Sequence, residues 1–166
     1  MRKPLVILGI TMLLGVAVMP CASATQQTQR FANYLEKCGF NVTLEDGYWC
    51  ADYLDEATGA TTWIVFPDSV AITQVDILFC GYNPDLSRRE VFDAFRISVI
   101  DAITGAFPKE LNEAVVKAIM FDIPELQLVT GESAQAQVGE FSLDGGFFFS
   151  DDGYLTFMLT IEAIRD

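Results

Sequence analysis

The chain has 166 residues, with 23 Asp or Glu against 10 Lys or Arg, no histidine and a formal net charge of −13 at pH 7. An acidic surface of this kind repels the phosphates of nucleic acids and of anionic lipids, so we expect neither as a partner. The lack of histidine excludes Ser–His and Cys–His nucleophile pairs and histidine-containing metal sites, so we expect no metal and no cofactor.

The first 24 residues have the pattern of a secretory signal peptide. Met1-Arg2-Lys3 precedes an apolar run at 4–19, and Ala22-Ser23-Ala24 is a small-residue cleavage site. A membrane anchor is less favoured, because the run falls short of the roughly 20 residues that span a bilayer. Lipid attachment at Cys21 is also less favoured, because Pro20 stands where a small residue is required. The sequence therefore predicts an exported protein, periplasmic or secreted, without a stable membrane anchor.

Removal of residues 1–24 leaves a mature part, 25–166, with 8 basic and 23 acidic residues and a net charge of −15. This part contains no Pro/Gly/Ser-rich spacer and no low-complexity tract, and its length suits one domain. We therefore predict a single domain with a normal hydrophobic core.

The first half of that domain has the pattern of a helix followed by a meander. Apolar residues at helical spacing predict a helix over 28–38, which Gly39 ends. Alternation of apolar and polar residues then begins, and Asp46-Gly47 is a typical hairpin turn. Four segments share this strand pattern: 40–45, 48–55, 61–66 and 70–79.

The second half has two helices followed by strands. Ser87 and Glu90 have the form of a capping box that opens a helix extending to about Ile103, and a second helix begins at Pro108 and is stopped by Pro124. Four more segments have a strand pattern: 126–130, 135–141, 146–149 and 154–163. The sequence thus predicts an α+β fold of order α-ββββ-αα-ββββ. Its antiparallel sheet has about seven or eight strands, with three helices packed mainly on one face.

The mature part retains Cys38, Cys50 and Cys80. One disulfide is compatible with export, and its pairing stays open. The turn at Asp46-Gly47 places Thr43 opposite Cys50, which disfavours the Cys38–Cys50 bridge. A Cys50–Cys80 bridge between two neighbouring strands remains possible, as does the alternative that all three are small apolar side chains.

Carboxylates are the remaining candidates for catalysis, as in glycoside hydrolysis. The candidates are Asp46, Asp52, Asp55, Glu56, Asp151 and Asp152. Several stand beside glycine in turns, where short acids are favoured for backbone reasons, so a structural role is the preferred interpretation. Asp76 is a candidate perturbed acid because it interrupts an apolar strand. Alternation nevertheless favours an outward position for it, on one face with Gln74 and Leu78.

Phe147, Phe148 and Phe149 cannot all face inward on a strand, so at least one of them meets solvent, a partner or another layer. Together with Asp151 and Asp152, they are the candidate binding residues. The charge and the missing catalytic groups favour a non-catalytic exported binding protein, of an inhibitor, immunity or chaperone-like kind, that engages a basic protein. Two alternatives are a carrier of a small apolar ligand between sheet and helices, and a carboxylate-dependent glycan hydrolase.

Overall fold

A computed structural model describes residues 26–81, 88–130, 133–149 and 154–164. Within these ranges it has three continuous helical stretches and seven strands, which confirms the α+β class. The helices are α1 (Gln27–Lys37), α2 (88–103, composed of Arg88–Phe95, Arg96–Ile100 and Asp101–Ile103) and α3 (109–130, composed of Lys109–Lys117, Ala118–Asp122 and Ile123–Thr130). The strands are β1 (Asn41–Glu45), β2 (Tyr48–Leu54), β3 (Thr61–Pro67), β4 (Gln74–Gly81), β5 (Ala134–Val138), β6 (Phe141–Phe149) and β7 (Leu155–Ala163).

All seven strands belong to one antiparallel sheet of order β1-β2-β3-β4-β7-β6-β5. The predicted meander is confirmed as β1 to β4, and the last strand of the chain pairs with β4 at the centre of the sheet. The hairpin turn has positive φ at both Asp46 (50°) and Gly47 (83°), as a type I′ turn requires. It sets Thr43 opposite Cys50, the register that the sequence predicts.

The helices lie on one face of the sheet, where the apolar side chains of alternating strand positions form the core. α1 packs through Phe31 against Phe66 of β3, with ring centroids 4.8 Å apart. Phe95 of α2 lies over the central strands. The centroid of its ring is 5.4 Å from that of Phe79 on β4 and 4.8 Å from that of Phe157 on β7. The sheet and the helices therefore share one aromatic core.

α3 continues through Pro124, so the prediction that this proline stops the helix is wrong. A proline ring clashes with the backbone of the preceding helical turn and cannot donate to it. Here the preceding turn, Ala118–Asp122, is a wider π-helical turn, which makes room for the ring. The segment predicted as a strand at 126–130 is consequently the last part of α3, because a short apolar run fits a helix as well as a strand.

The remaining strand boundaries also differ from the sequence prediction. A turn at Gly139-Glu140 ends β5 at Val138, whereas the prediction extended that strand to Phe141. Phe141 instead begins β6, which runs without interruption to Phe149. The loss of the predicted strand at 126–130 leaves three strands after the helices and seven in the described sheet. The predicted capping serine, Ser87, lies outside the described residues.

Candidate binding face

The face of the sheet opposite the helices, called here the outer face, is not covered by any described helix. It carries an open concavity from β3 to β5, with a volume of about 840 Å³. Fifteen residues line this concavity: Trp63, Val65, Asp76, Ile77, Leu78, Ser133, Gln135, Ser142, Asp144, Gly145, Phe148, Met158, Leu159, Thr160 and Glu162. Its size is in the range of ligand-binding clefts in proteins.

An apolar band crosses the middle of the outer face. It consists of Trp63 on β3, Leu78 on β4 and Met158 on β7, each directly opposite the next in the strand register. Trp63 is 41% exposed and Met158 is 53% exposed, so large apolar side chains are presented to solvent. Gly146 of β6 stands opposite Met158 in the register but is buried, and a Cβ atom there would lie 2.8 Å from Gln127 Oε1. Contiguous exposed apolar surface of this kind is typical of binding sites.

An acidic row runs beside the apolar band, two residues further along each strand. It consists of Asp76 on β4, Thr160 on β7 and Asp144 on β6, again in direct register. Thr160 Oγ1 donates to Asp76 Oδ1 at 2.8 Å and Gln74 Nε2 donates to Asp76 Oδ2 at 2.7 Å. Gln135 Nε2 donates to Asp144 Oδ2 at 2.9 Å. These donors are neutral, so they fix the carboxylates in place without cancelling their charge.

The two layers of the fold differ in charge. The segments that form the sheet and its turns, 40–81, 133–149 and 154–164, contain no Lys or Arg. The same segments contain ten acidic residues: Glu45, Asp46, Asp52, Asp55, Glu56, Asp68, Asp76, Glu140, Asp144 and Glu162. The helical segments hold seven basic residues: Arg30, Lys37, Arg88, Arg89, Arg96, Lys109 and Lys117. They also hold eight acidic ones, so the negative charge of the described protein is concentrated in the sheet layer.

The three consecutive phenylalanines of β6 point in different directions. Phe147 packs among the core rings, 5.2 Å from Phe95. Phe148 is on the outer face, at the edge of the concavity, and Phe149 is 67% exposed near the end of the strand. The other two predicted binding residues, Asp151 and Asp152, lie outside the described residues.

Asp76 is half-buried on the outer face, together with Gln74 and Leu78 as alternation suggested. The acids considered for catalysis are dispersed. Asp46 occupies the hairpin turn, and Asp55 accepts hydrogen bonds from the backbone N–H groups of Ala57 and Thr58, so it shapes the turn after β2.

Two further acids from that set lie near the first strands. Asp52 is on the outer face, where Asn41 Nδ2 donates to its Oδ1 at 2.9 Å and where it stands opposite Trp63. Glu56 is exposed in the turn beyond β2. Of the described acids considered for catalysis, Asp52 therefore adjoins the apolar band, and Asp76 of the acidic row does so as well.

Cys38, Cys50 and Cys80 are all free thiols. The expectation that Cys50 and Cys80 lie on neighbouring strands is wrong, because β3 separates β2 from β4. Cys50 stands opposite Val65 and Cys80 opposite Thr61, so the two also differ by four positions along β3. Two strand spacings alone amount to about 9.6 Å. A disulfide requires Cα atoms within roughly 7 Å.

Sequence reasoning missed Trp63, Met158 and Asp144 as members of one site. Alternation assigns Trp63 and Met158 to polar faces of their strands, but it does not reveal that β7 lies next to β4. The strand pattern predicted from the sequence begins at 146, whereas β6 begins at Phe141 and includes Asp144. The pairing of Asp76 with Thr160, 84 positions apart, joins the two halves of the face.

In the described part of the chain, no group of three or more Cys, Asp or Glu side chains is arranged to hold a metal ion. No helix within the same ranges has the length and apolar character needed to cross a membrane. Comparisons with protein-family models, with curated proteins and with solved structures find no match to this chain. Its function is therefore inferred from the charge and shape of the outer face.

Proposed function

We propose that this chain is an exported, non-catalytic binding protein whose outer face engages a basic protein partner. The observation that carries the proposal is the separation of charge between the layers. The described sheet layer holds ten acidic residues and no basic one, whereas the helical layer is nearly neutral. A surface of one sign attracts a partner of the opposite sign and disfavours partners of its own sign.

The arrangement of apolar and acidic side chains also resembles that of a protein interface. Such interfaces have an apolar centre, in which tryptophan and methionine are enriched, and a polar rim. Here Trp63 and Met158 belong to the centre, while Asp52, Asp76 and Asp144 lie beside it. A partner Arg or Lys can lay its aliphatic stem on the apolar band and reach a carboxylate with its charged end. A guanidinium over the Trp63 ring gains cation–π attraction as well.

The two alternative functions have less support. Four phenylalanine rings, Phe79, Phe95, Phe147 and Phe157, meet between the sheet and the helices at centroid distances of 4.7–5.4 Å. This packing favours a filled interior over a cavity for an apolar ligand. The glycan-hydrolase alternative rests on acids of which Asp46 and Asp55 are engaged in turns.

The test compares two triple variants that change the net charge equally. The face variant carries Asp76→Asn, Asp144→Asn and Glu162→Gln, and its matched control carries Glu36→Gln, Asp93→Asn and Glu113→Gln, three exposed acids of the helical layer. The probe is a fluorescent peptide rich in arginine, lysine and leucine, and its dissociation constant is measured at about 0.15 M salt.

We expect the face variant to bind the probe at least about tenfold more weakly and the control variant to bind it almost as well as the unaltered protein. If both variants bound the probe equally weakly, the loss would be explained by the change in net charge alone, and the proposal would be overturned. Absence of binding by the unaltered protein would overturn it as well. Far-UV circular dichroism and thermal midpoints verify that both variants are folded.

A further inference from the structure

The apolar band and the acidic row have one geometric property in common, which is that both run across the strands rather than along them. Trp63, Leu78 and Met158 occupy three adjacent strands, and so do Asp76, Thr160 and Asp144. A partner segment that contacts both rows over their whole length must therefore cross the strands.

The backbone of that partner segment must supply its own hydrogen bonds. The strands beneath the two rows are paired on both sides, since β4 lies between β3 and β7, and β7 lies between β4 and β6. Their N–H and C=O groups are used within the sheet, so the outer face offers side chains only. An extended segment pressed onto the apolar band would bury unpaired backbone groups, which is costly, whereas a helix satisfies its own.

The spacing of the rows also suits a helix. Asp76 and Asp144 are two strands apart, a separation of about 9.6 Å between their backbones. Residues seven apart on an α-helix are separated by about 10.5 Å along its axis. Trp63 and Met158 are two strands apart in the same way. Successive helical turns can thus lie over successive strands, in register with both rows.

We propose that the outer face binds an amphipathic basic helix whose axis crosses β3, β4, β7 and β6. Its apolar stripe lies on Trp63, Leu78 and Met158, and Lys or Arg residues seven positions apart on the adjacent stripe meet Asp76 and Asp144. Charge complementarity favours a basic occupant, because the described sheet layer has no cation of its own. This inference rests on the proposed function and specifies the form of the basic partner.

The experiment uses three synthetic peptides of identical composition and charge, about 18 residues long, which is about five helical turns. The first has a leucine stripe flanked by lysines seven positions apart. The second contains the same residues rearranged, so that no stripe forms. The third has the sequence of the first, except that the proline at the end of the peptide changes places with a central residue. At the centre the proline breaks the helix. The readouts are the dissociation constant and the peptide helicity on binding.

We expect the striped peptide to bind at least about tenfold more tightly than the other two and to become helical when bound. A double-mutant test shows whether Asp144 contacts the facing lysine of the peptide. Asp144→Asn should weaken binding of the striped peptide about fivefold. The same substitution should have little effect on binding of a peptide in which the lysine facing Asp144 is replaced by glutamine. Met158→Ala should weaken the striped peptide more than the rearranged one.

Two outcomes separate the failure of this inference from that of the proposed function. One outcome is that all three peptides bind equally and that the face variant Asp76→Asn/Asp144→Asn/Glu162→Gln binds all of them more weakly. The proposal of a helical partner is then refuted, whereas the proposed function of binding a basic partner is retained. If none of the peptides binds, or if their binding is indifferent to those acids, both proposals are overturned.

Discussion

The hydroxyl group of Thr62 on β3 donates a hydrogen bond of 2.8 Å to the hydroxyl oxygen of Ser98 on α2. Ser98 lies in the π-helical turn Arg96–Ile100 and donates in turn to the carbonyl oxygen of Ala94 at 2.9 Å. Both side chains are buried. Two consecutive hydrogen bonds therefore connect the sheet to the central helix through an otherwise apolar core.

Ser98→Ala should destabilise the protein by about 1–3 kcal/mol, because it leaves the buried Thr62 hydroxyl without an acceptor. The double variant Thr62→Val/Ser98→Ala should cost less than the sum of the two single variants, since it removes both polar groups together. Urea unfolding of the four proteins measures the coupling. Strictly additive costs would show that the two hydroxyl groups do not depend on each other.

Gly145→Ala should destabilise the sheet by about 1–3 kcal/mol through overpacking. A Cβ atom at this position would lie 2.2 Å from the carbonyl oxygen of Met158 and 2.9 Å from Cα of Leu159, both backbone atoms of β7. The strands β6 and β7 must therefore move apart. Ser142→Ala, on the same strand, is the control and should have little effect. Equal thermal midpoints for the two variants would contradict the close approach.

Gln127 of α3 completes the edge of β6 beyond its last pair with β5. Its side-chain amide donates to the carbonyl oxygen of Phe147 at 2.6 Å and accepts from the Phe147 N–H at 2.8 Å, as a neighbouring strand would. Gln127→Ala should therefore accelerate hydrogen exchange of the Phe147 amide and expose an unpaired strand edge. Gln127→Glu should retain more protection than the alanine variant but less than the unaltered protein, because a carboxylate oxygen still accepts from the Phe147 N–H while the donor to its carbonyl oxygen is lost. Unchanged exchange in the alanine variant would contradict this role.

Tyr34 should make stability depend on pH in the alkaline range. Its hydroxyl bonds to Thr104 Oγ1 and to the carbonyl oxygen of Asp101. The Thr104 hydrogen bond favours the phenolate, but burial together with Cys38 and Asp101 outweighs it and raises the pKa of Tyr34 above 10.0. The folded state thus holds the proton more tightly than the unfolded state.

The stabilisation due to the raised pKa of Tyr34 is fully present below the unfolded pKa and is lost as pH rises through the folded one. The stability advantage of the unaltered protein over Tyr34→Phe should therefore shrink from about pH 10 upward. Urea unfolding of the two proteins at several pH values measures this difference. A constant difference for Tyr34→Phe would refute the shift.

Local sequence patterns predicted the part of the fold that local physics controls. The hairpin at Asp46-Gly47 follows from the backbone preferences of those two residues, and alternation placed Asp76 on the same face as Gln74 and Leu78. Pro124 shows the limit of such rules. Its cost in a helix depends on the width of the preceding turn, and the residue pattern does not reveal that Ala118–Asp122 is π-helical.

The candidate site was harder to predict than the strands that carry it. Each row of the outer face combines residues from both halves of the chain, such as Leu78 with Met158 and Asp76 with Thr160. Strand alternation predicts which side chains share a face of one strand. Which strand lies next to it in the sheet depends on the packing of the whole core. The acidic row therefore exists only once β7 has joined β4.

The unequal charge of the two layers gives the molecule an electric dipole that points across the sheet. In the field of an approaching polycation, such a dipole experiences a torque that turns the sheet layer toward the cation before the surfaces touch. Fewer encounters then begin in an unproductive orientation, and this advantage disappears as added salt shortens the range of the field. In the described ranges the lysines and arginines lie in the helical layer, on the side opposite the proposed binding face, and the fold would thus contribute to the association rate.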